Sequence, residues 1–329
     1  MELLNGGVVS LNINDDNDLP LEPEQSQKTD SLKSDPSGAF IADFCDGYSF
    51  RQSINFIRQC TSDDCTFITR KDGIYCANSN DTKNITVIFN IYKYQLTKYE
   101  HDANTGTILL PVKLSELSAV LSKITKTMGI RIYKTSKNRD LYYQSIKDSN
   151  VLSDNALGIL TLNPTSTFKD FKISDYNRSS LDPNCVVSSQ DLKGVCNEIK
   201  TSGCSKVKLG VFPRGICFST IMEPNARFIT RKFGVVDESA SENATPSLCH
   251  LPGSVVNNHQ MSSLAIINMK PRNLVEEYYF YSTFMDTMAL LDNINPRGVV
   301  KFYAETNKPL KVVSNVGDYG EMTIYIIKL

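Results

Sequence analysis

Apolar and polar positions alternate along this chain in two rhythms, and the rhythms recur in the same order in both halves. Residues 39–45 (AFIADFC) are an apolar run of strand length, followed by an Asp46–Gly47 turn. Over 49–60, Phe50, Ile54 and Ile57 fall at helical spacing, which predicts an amphipathic helix. Residues 65–70 and 73–77 predict two strands joined by the tight Lys71–Asp72–Gly73 turn. Strands are predicted again at 84–92 and 107–112. A second helix follows over 113–127, with Leu114, Leu117, Val120, Leu121 and Ile124 on one face. Strands at 130–134, 140–145 and 157–162 complete this half.

The second half opens with a short strand at 184–187 and a helix at 189–201, whose inward face is Leu192, Val195, Cys196 and Ile199. Ser188 or Ser189 is its expected N-cap, and Gly203 its stop. Strands at 206–212 and 215–220 flank a Pro213–Arg214–Gly215 turn, so GICFS answers the earlier GIYCA. This recurrence of strand, helix, strand, turn and strand indicates duplicated domains. A strand at 263–269, an apolar helix over 278–292 and a three-strand meander carry the chain to its end. Helices followed by antiparallel strands, two helices per domain, are an α+β pattern with the helices gathered on one face. The expected organisation is a disordered tail (1–38), a first domain (39–162), a linker (163–184) and a second domain (185–329). Residues 235–262 are expected to be a long polar loop.

Composition narrows the picture. A hydrophobic fraction of 41% with 15 Phe and 15 Tyr supports a sizeable core, and a net charge of -1 gives no bulk attraction to nucleic acid. Nine scattered cysteines, none in a C-x-x-C pair, point to a reducing compartment rather than a disulfide framework. No apolar stretch reaches membrane-spanning length and no signal peptide is visible, so no membrane partner is expected. Cys249, His250 and His259 lack the spacing of a zinc site, and Glu276–Glu277 reads as a helix start or a solvated face. Walker, dinucleotide-binding and nucleophile-elbow motifs are missing, so no catalytic residue and no cofactor is expected.

The charged helix faces are more specific. Arg51, Asn55 and Arg58 stand at i, i+4 and i+7, and Lys193, Asn197 and Lys200 repeat that spacing on the matching helix. Lys123 and Lys126 close the second helix. Such faces are either simply solvated or contact phosphates without reading sequence; the matched spacing favours the second. The helix over 278–292 departs from this, with Asp286 and Asp292 and no basic residue.

The terminal stretch VVKFYAETNKPLKVVSNVGDYGEMTIYII resembles the C-terminal segment of the proliferating cell nuclear antigen (PCNA) family of DNA sliding clamps. FIADFCDGYSFRQSINFIRQ is similar to that family's first strand and helix, VKLSELSAVLSKI to its second helix, and SSQDLKGVCNEIKTSGCSKVKLGVFPRGICFS to the start of its second domain. The resemblance implies a non-enzymatic ring, usually of three chains, whose helices line a channel around double-stranded DNA. Such a ring keeps a DNA polymerase on its template and docks replication and repair proteins through short peptides. A monomeric or dimeric clamp-fold factor and one subunit of a hetero-trimeric clamp are the alternatives; an enzyme on an unrelated α+β fold is the alternative of another class. The resemblance places Arg51, Asn55, Arg58, Lys123, Lys126, Lys193, Asn197 and Lys200 toward DNA. It places Pro309, Tyr325 and Ile327 in the peptide pocket, with Phe168, Phe171 and Ile173 of the linker. The tail, inserted loop and divergence suggest a large DNA virus or a divergent eukaryote, acting in the nucleus or at a cytoplasmic replication site.

Overall fold

A computed structural model describes residues 39–102, 106–147, 151–162, 182–221, 223–236 and 273–328, with backbone alone at 147 and 151–157. The tail, the linker core with Phe168, Phe171 and Ile173, most of the polar loop with its Cys249, His250 and His259, and the strand expected at 263–269 lie outside these residues.

The first repeat runs β1 (Phe40–Phe44), α1 (Gly47–Cys60), β2 (Asp64–Arg70), β3 (Gly73–Ser79), β4 (Ile85–Tyr92), β5 (Lys98–His101), β6 (Ile108–Lys113), α2 (Leu114–Leu121), β7 (Gly129–Lys134), β8 (Asp140–Lys147) and β9 (Val151–Thr161). The second runs β10 (Cys185–Ser188), α3 (Ser189–Thr201), β11 (Lys206–Phe212), β12 (Arg214–Thr220), β13 (Thr230–Val235), β14 (Glu276–Tyr281), α4 (Ser282–Met288), α5 (Leu291–Ile294), β15 (Val299–Tyr303), β16 (Leu310–Val316) and β17 (Gly320–Ile326).

Local chemistry starts the two long helices alike. The Asp46 carboxylate accepts from Ser49 N–H at 2.9 Å, and the Ser188 hydroxyl accepts from Asp191 N–H at 3.0 Å, satisfying donors that a helix start leaves free. Phe50, Ile54 and Ile57 of α1 and Leu192, Val195, Cys196 and Ile199 of α3 are buried, as their spacing predicts.

Three sequence expectations need correction. The helix expected over 278–292 is a strand followed by two short helices. Glu276, Tyr278 and Phe280 are buried in alternation and β14 pairs with β11 from Tyr281–Lys206 to Glu276–Val211. An apolar aromatic run fits a half-buried strand as well as a helix, and pairing decides it. The helix expected over 113–127 ends at Leu121, where the Ser122 hydroxyl donates to Ala119 O at 2.7 Å and tight turns close at Ile124 and Met128. Two strands, β5 and β13, were not expected, being short and polar.

All sheets are antiparallel, and their order exposes the duplication. In the first repeat one sheet contains β1-β7-β8-β9 and another β6-β2-β3-β4; in the second the matching runs are β10-β15-β16-β17 and β14-β11-β12-β13. The repeats join because β17 pairs with β4 from Gly320–Ile91 to Ile326–Ile85, giving one continuous eight-stranded sheet. The strands matching this pair, β9 and β13, are both sheet edges among the described residues. They carry exposed apolar side chains, Ile159 at 54% and Val235 at 66%.

Candidate nucleic-acid interface

The helices form one layer. α1 packs against α2, α4 and α5, and α3 packs against α4 and α5. Each predicted basic residue lies on this layer, in three different situations.

Arg51 and Asn55 serve the α1–α2 contact. Arg51 Nη1 donates to Ile124 O at 2.8 Å, and Asn55 Oδ1 accepts from the Ser118 hydroxyl at 2.8 Å. Arg51 thereby satisfies a carbonyl left free where α2 gives way to turns, and holds positive charge against the negative end of that helix. Arg58, Lys123 and Lys126 are exposed, with Lys126 Nζ 5.7 Å from the centre of the Tyr48 ring. Lys193 and Lys200 meet the two aspartates that set the fourth helix apart. Lys193 Nζ is 2.8 Å from Asp292 and Lys200 Nζ 3.3 Å from Asp286. The aspartates therefore answer the α3 lysines in reverse order, as antiparallel helices require. Sequence reading missed this because the acids and lysines meet only once α4 and α5 lie against α3. The Lys200–Asp286 pair, exposed on both sides, contributes only ~0–1 kcal/mol, so a phosphate can displace that carboxylate. Asn197 is exposed on the same helix.

The candidate peptide surface gathers at one end of the β16–β17 hairpin. Leu310 pairs with Ile326, so Pro309 and Ile327 stand opposite each other one step further out, with Tyr325 on the Ile327 side of the strand. Pro309 is partly buried, Tyr325 is 4% exposed and Ile327 is 38% exposed. Ile327 N–H donates to Asn84 O at 2.8 Å, which ties this corner to the polar loop before β4.

Behind that corner lies a residue whose role the sequence misassigned. Glu276 is a buried strand residue rather than part of a helix start or solvated face. Its carboxylate accepts from Asn307 N–H at 2.9 Å, from Lys328 Nζ at 2.9 Å and from Glu277 N–H at 3.1 Å. It holds the turn before Pro309 and the residue after Ile327 together. The Asn307 N–H, then the Lys328 ammonium, lower its pKa to about 2, and the same pairing raises that of Lys328.

No family model matches the sequence, and no curated protein matches it. Solved structures do match the fold. PCNA from Entamoeba histolytica superposes with TM-score 0.59 at 12% identity, covering 88% of this chain and 98% of that one. A chain of the PCNA2–PCNA3 complex from Sulfolobus tokodaii gives 0.60 at 13% identity, covering 87% and 98%. PCNA from Thermococcus kodakaraensis gives 0.59 at 14%, covering 88% and 99%. This chain has the α+β fold of the PCNA clamps.

Proposed function

We propose that this chain is the subunit of a closed sliding clamp. It encircles duplex DNA, holds a polymerase on its template and docks replication and repair proteins. The observation that carries the reading is the sheet order: β17 and β4 are paired inside the chain, while their counterparts β9 and β13 are edges. A chain that repeats a joint but can fill it only once invites a second copy to fill the other, and ring closure removes the remaining edges. Arg51, Asn55, Arg58, Lys123, Lys126, Lys193, Asn197 and Lys200 then belong to the helical lining of the ring. Such a lining contacts backbone phosphates and reads no sequence, as sliding requires. Pro309, Tyr325 and Ile327 form the corner where a short peptide docks, and a partner segment can add to it by its own backbone and apolar side chains.

The test is the solution mass of the full chain by light scattering, together with retention on circular DNA. Three chains per particle that stay on a closed circle and leave when it is cut support the reading. A single chain at every concentration sinks the ring.

A further inference from the structure

The β2–β3 hairpin changes its fastenings partway along. From Arg70–Gly73 to Phe67–Cys76 the two strands pair with each other. Beyond Cys76, β3 is held instead by the residues between α1 and β2. Asn78 Nδ2 donates to Thr61 Oγ1 and to Ser62 O, each at 2.9 Å, and Ser62 N–H donates to Ser79 O at 3.1 Å. β2 keeps its other neighbour, pairing with β6 out to Asp64–Lys113. Cys65 and Cys76 meet where the β2–β3 ladder stops. Phe67 faces Cys76 across the strands, and Cys65 stands two residues before Phe67, so both thiols lie on one face of the sheet. That face is the core: Cys65 is 5% exposed and Cys76 1%. Their Sγ atoms are 3.1 Å apart, about 1 Å more than a disulfide bond. Buried cysteines ordinarily pack as small hydrophobes. This pair differs because its sulfurs meet each other, and do so at a gap in the ladder.

We infer that Cys65 and Cys76 are a redox modification site, which hydrogen peroxide converts to a reversible disulfide tying β2 to β3 where their ladder ends. The site stands independently of the ring reading. In the first step one thiolate attacks an oxygen of the peroxide. The O–O bond breaks, a sulfenic acid forms, and the departing hydroxide becomes water with the proton that thiol had lost. In the second step the other sulfur attacks the sulfenic sulfur. The S–O bond breaks, the S–S bond forms, and the oxygen leaves as water with the second thiol's proton. Two thiols are oxidised and one peroxide is reduced to two waters. Ionisation controls the rate. The hydrogen bond with Cys76, then burial, pushes the Cys65 thiol well above the ordinary thiol range, so little thiolate exists at neutral pH and the folded pair reacts slowly. Among the described cysteines only Cys45 is exposed, and it reacts first. The bond therefore forms under sustained oxidation, or as the chain folds in an oxidising buffer, and small thiols reverse it. A bond made only under oxidant is compatible with a reducing compartment.

The experiment brings the full chain to equilibrium in a series of buffers of reduced and oxidised glutathione, once folded and once in urea. Remaining thiols are alkylated, and the Cys65–Cys76 peptide is quantified by mass spectrometry after digestion without reductant. The bond should form at least about tenfold more readily in the folded chain than in urea. The oxidised chain should unfold at a higher urea midpoint, and dithiothreitol should reverse both changes. Prolonged hydrogen peroxide at mildly alkaline pH should give the same peptide in the folded chain, after Cys45 has been consumed. Cys45→Ser should keep the peptide and the midpoint shift, and Cys65→Ala should lose both. The wild-type comparison of folded with urea-held chain decides the matter even where a variant fails to fold. Equal or lesser bond formation in the folded chain overturns the site. So does a bond from Cys65 or Cys76 to a different cysteine, or no Cys65–Cys76 peptide after peroxide has consumed Cys45.

Discussion

Glu276 joins three segments distant in sequence, and its protonation should be visible in stability. Its folded pKa, about 2, lies below the ordinary value of 4.5. Its contribution is therefore complete above pH ~4.5 and is lost as pH falls from there toward 2. The expected outcome for Glu276→Gln is a lower urea midpoint at pH 7 and a shallower loss of stability between pH 5 and 3, measured by equilibrium unfolding. A wild-type acid limb of unchanged slope in the variant would refute the assignment. Partner peptides should also bind the variant less tightly, because Pro309 and Ile327 lose the residue that joins their neighbours. None of this was legible in the sequence. A Glu-Glu pair beside tyrosines reads as surface until strand pairing buries one of the two. The apolar core positions of α1 and α3 were legible, because burial there follows helical spacing alone.

At the scale of elements, the legible features were those with a period and the illegible ones those made by pairing. The long helices, the turn at Gly73 and the terminal meander follow from spacing and turn residues. β13 does not: its buried and exposed positions follow no apolar period, and its place depends on β12. There Gly215 faces Gly234, whose φ is +71°, and a Cβ on Gly234 would lie 2.3 Å from Arg214 O. Gly234→Val should push β13 away from β12 and remove the edge that a second copy needs. The expected result is loss of assembly in light scattering with the cooperative unfolding transition retained. Phe56 tests the opposite joint. It is fully buried on α1, the helix that packs against α4 and α5, and Phe56→Ala should cost roughly 3–5 kcal/mol in urea unfolding.

For the whole molecule, the proposed function raises the question of how chains of net charge -1 would hold a polyanion. The helical layer carries Arg51, Arg58, Lys123, Lys126, Lys193 and Lys200, while Asp286 and Asp292 screen part of α3. Charge reversal at Arg58 should therefore weaken DNA retention more than reversal at Lys200, which already spends part of its charge on Asp286. Reversal of Arg58, Lys193 and Lys200 together should reduce retention and flatten its salt dependence, with the fold intact by circular dichroism. Equal retention in the combined variant would remove these helices from the DNA-facing role.

The unbroken sheet across β17 and β4 bears on how such a ring lasts. A pair held within one chain has no separate partner to lose, so dilution cannot open it. Only the joints between chains respond to concentration. In a closed ring the first of these to part leaves both partners tethered through the others, so rejoining competes with escape. In the proposed ring, joining half of the domain contacts within single chains would lengthen residence on DNA while leaving a few defined places where the circle could open.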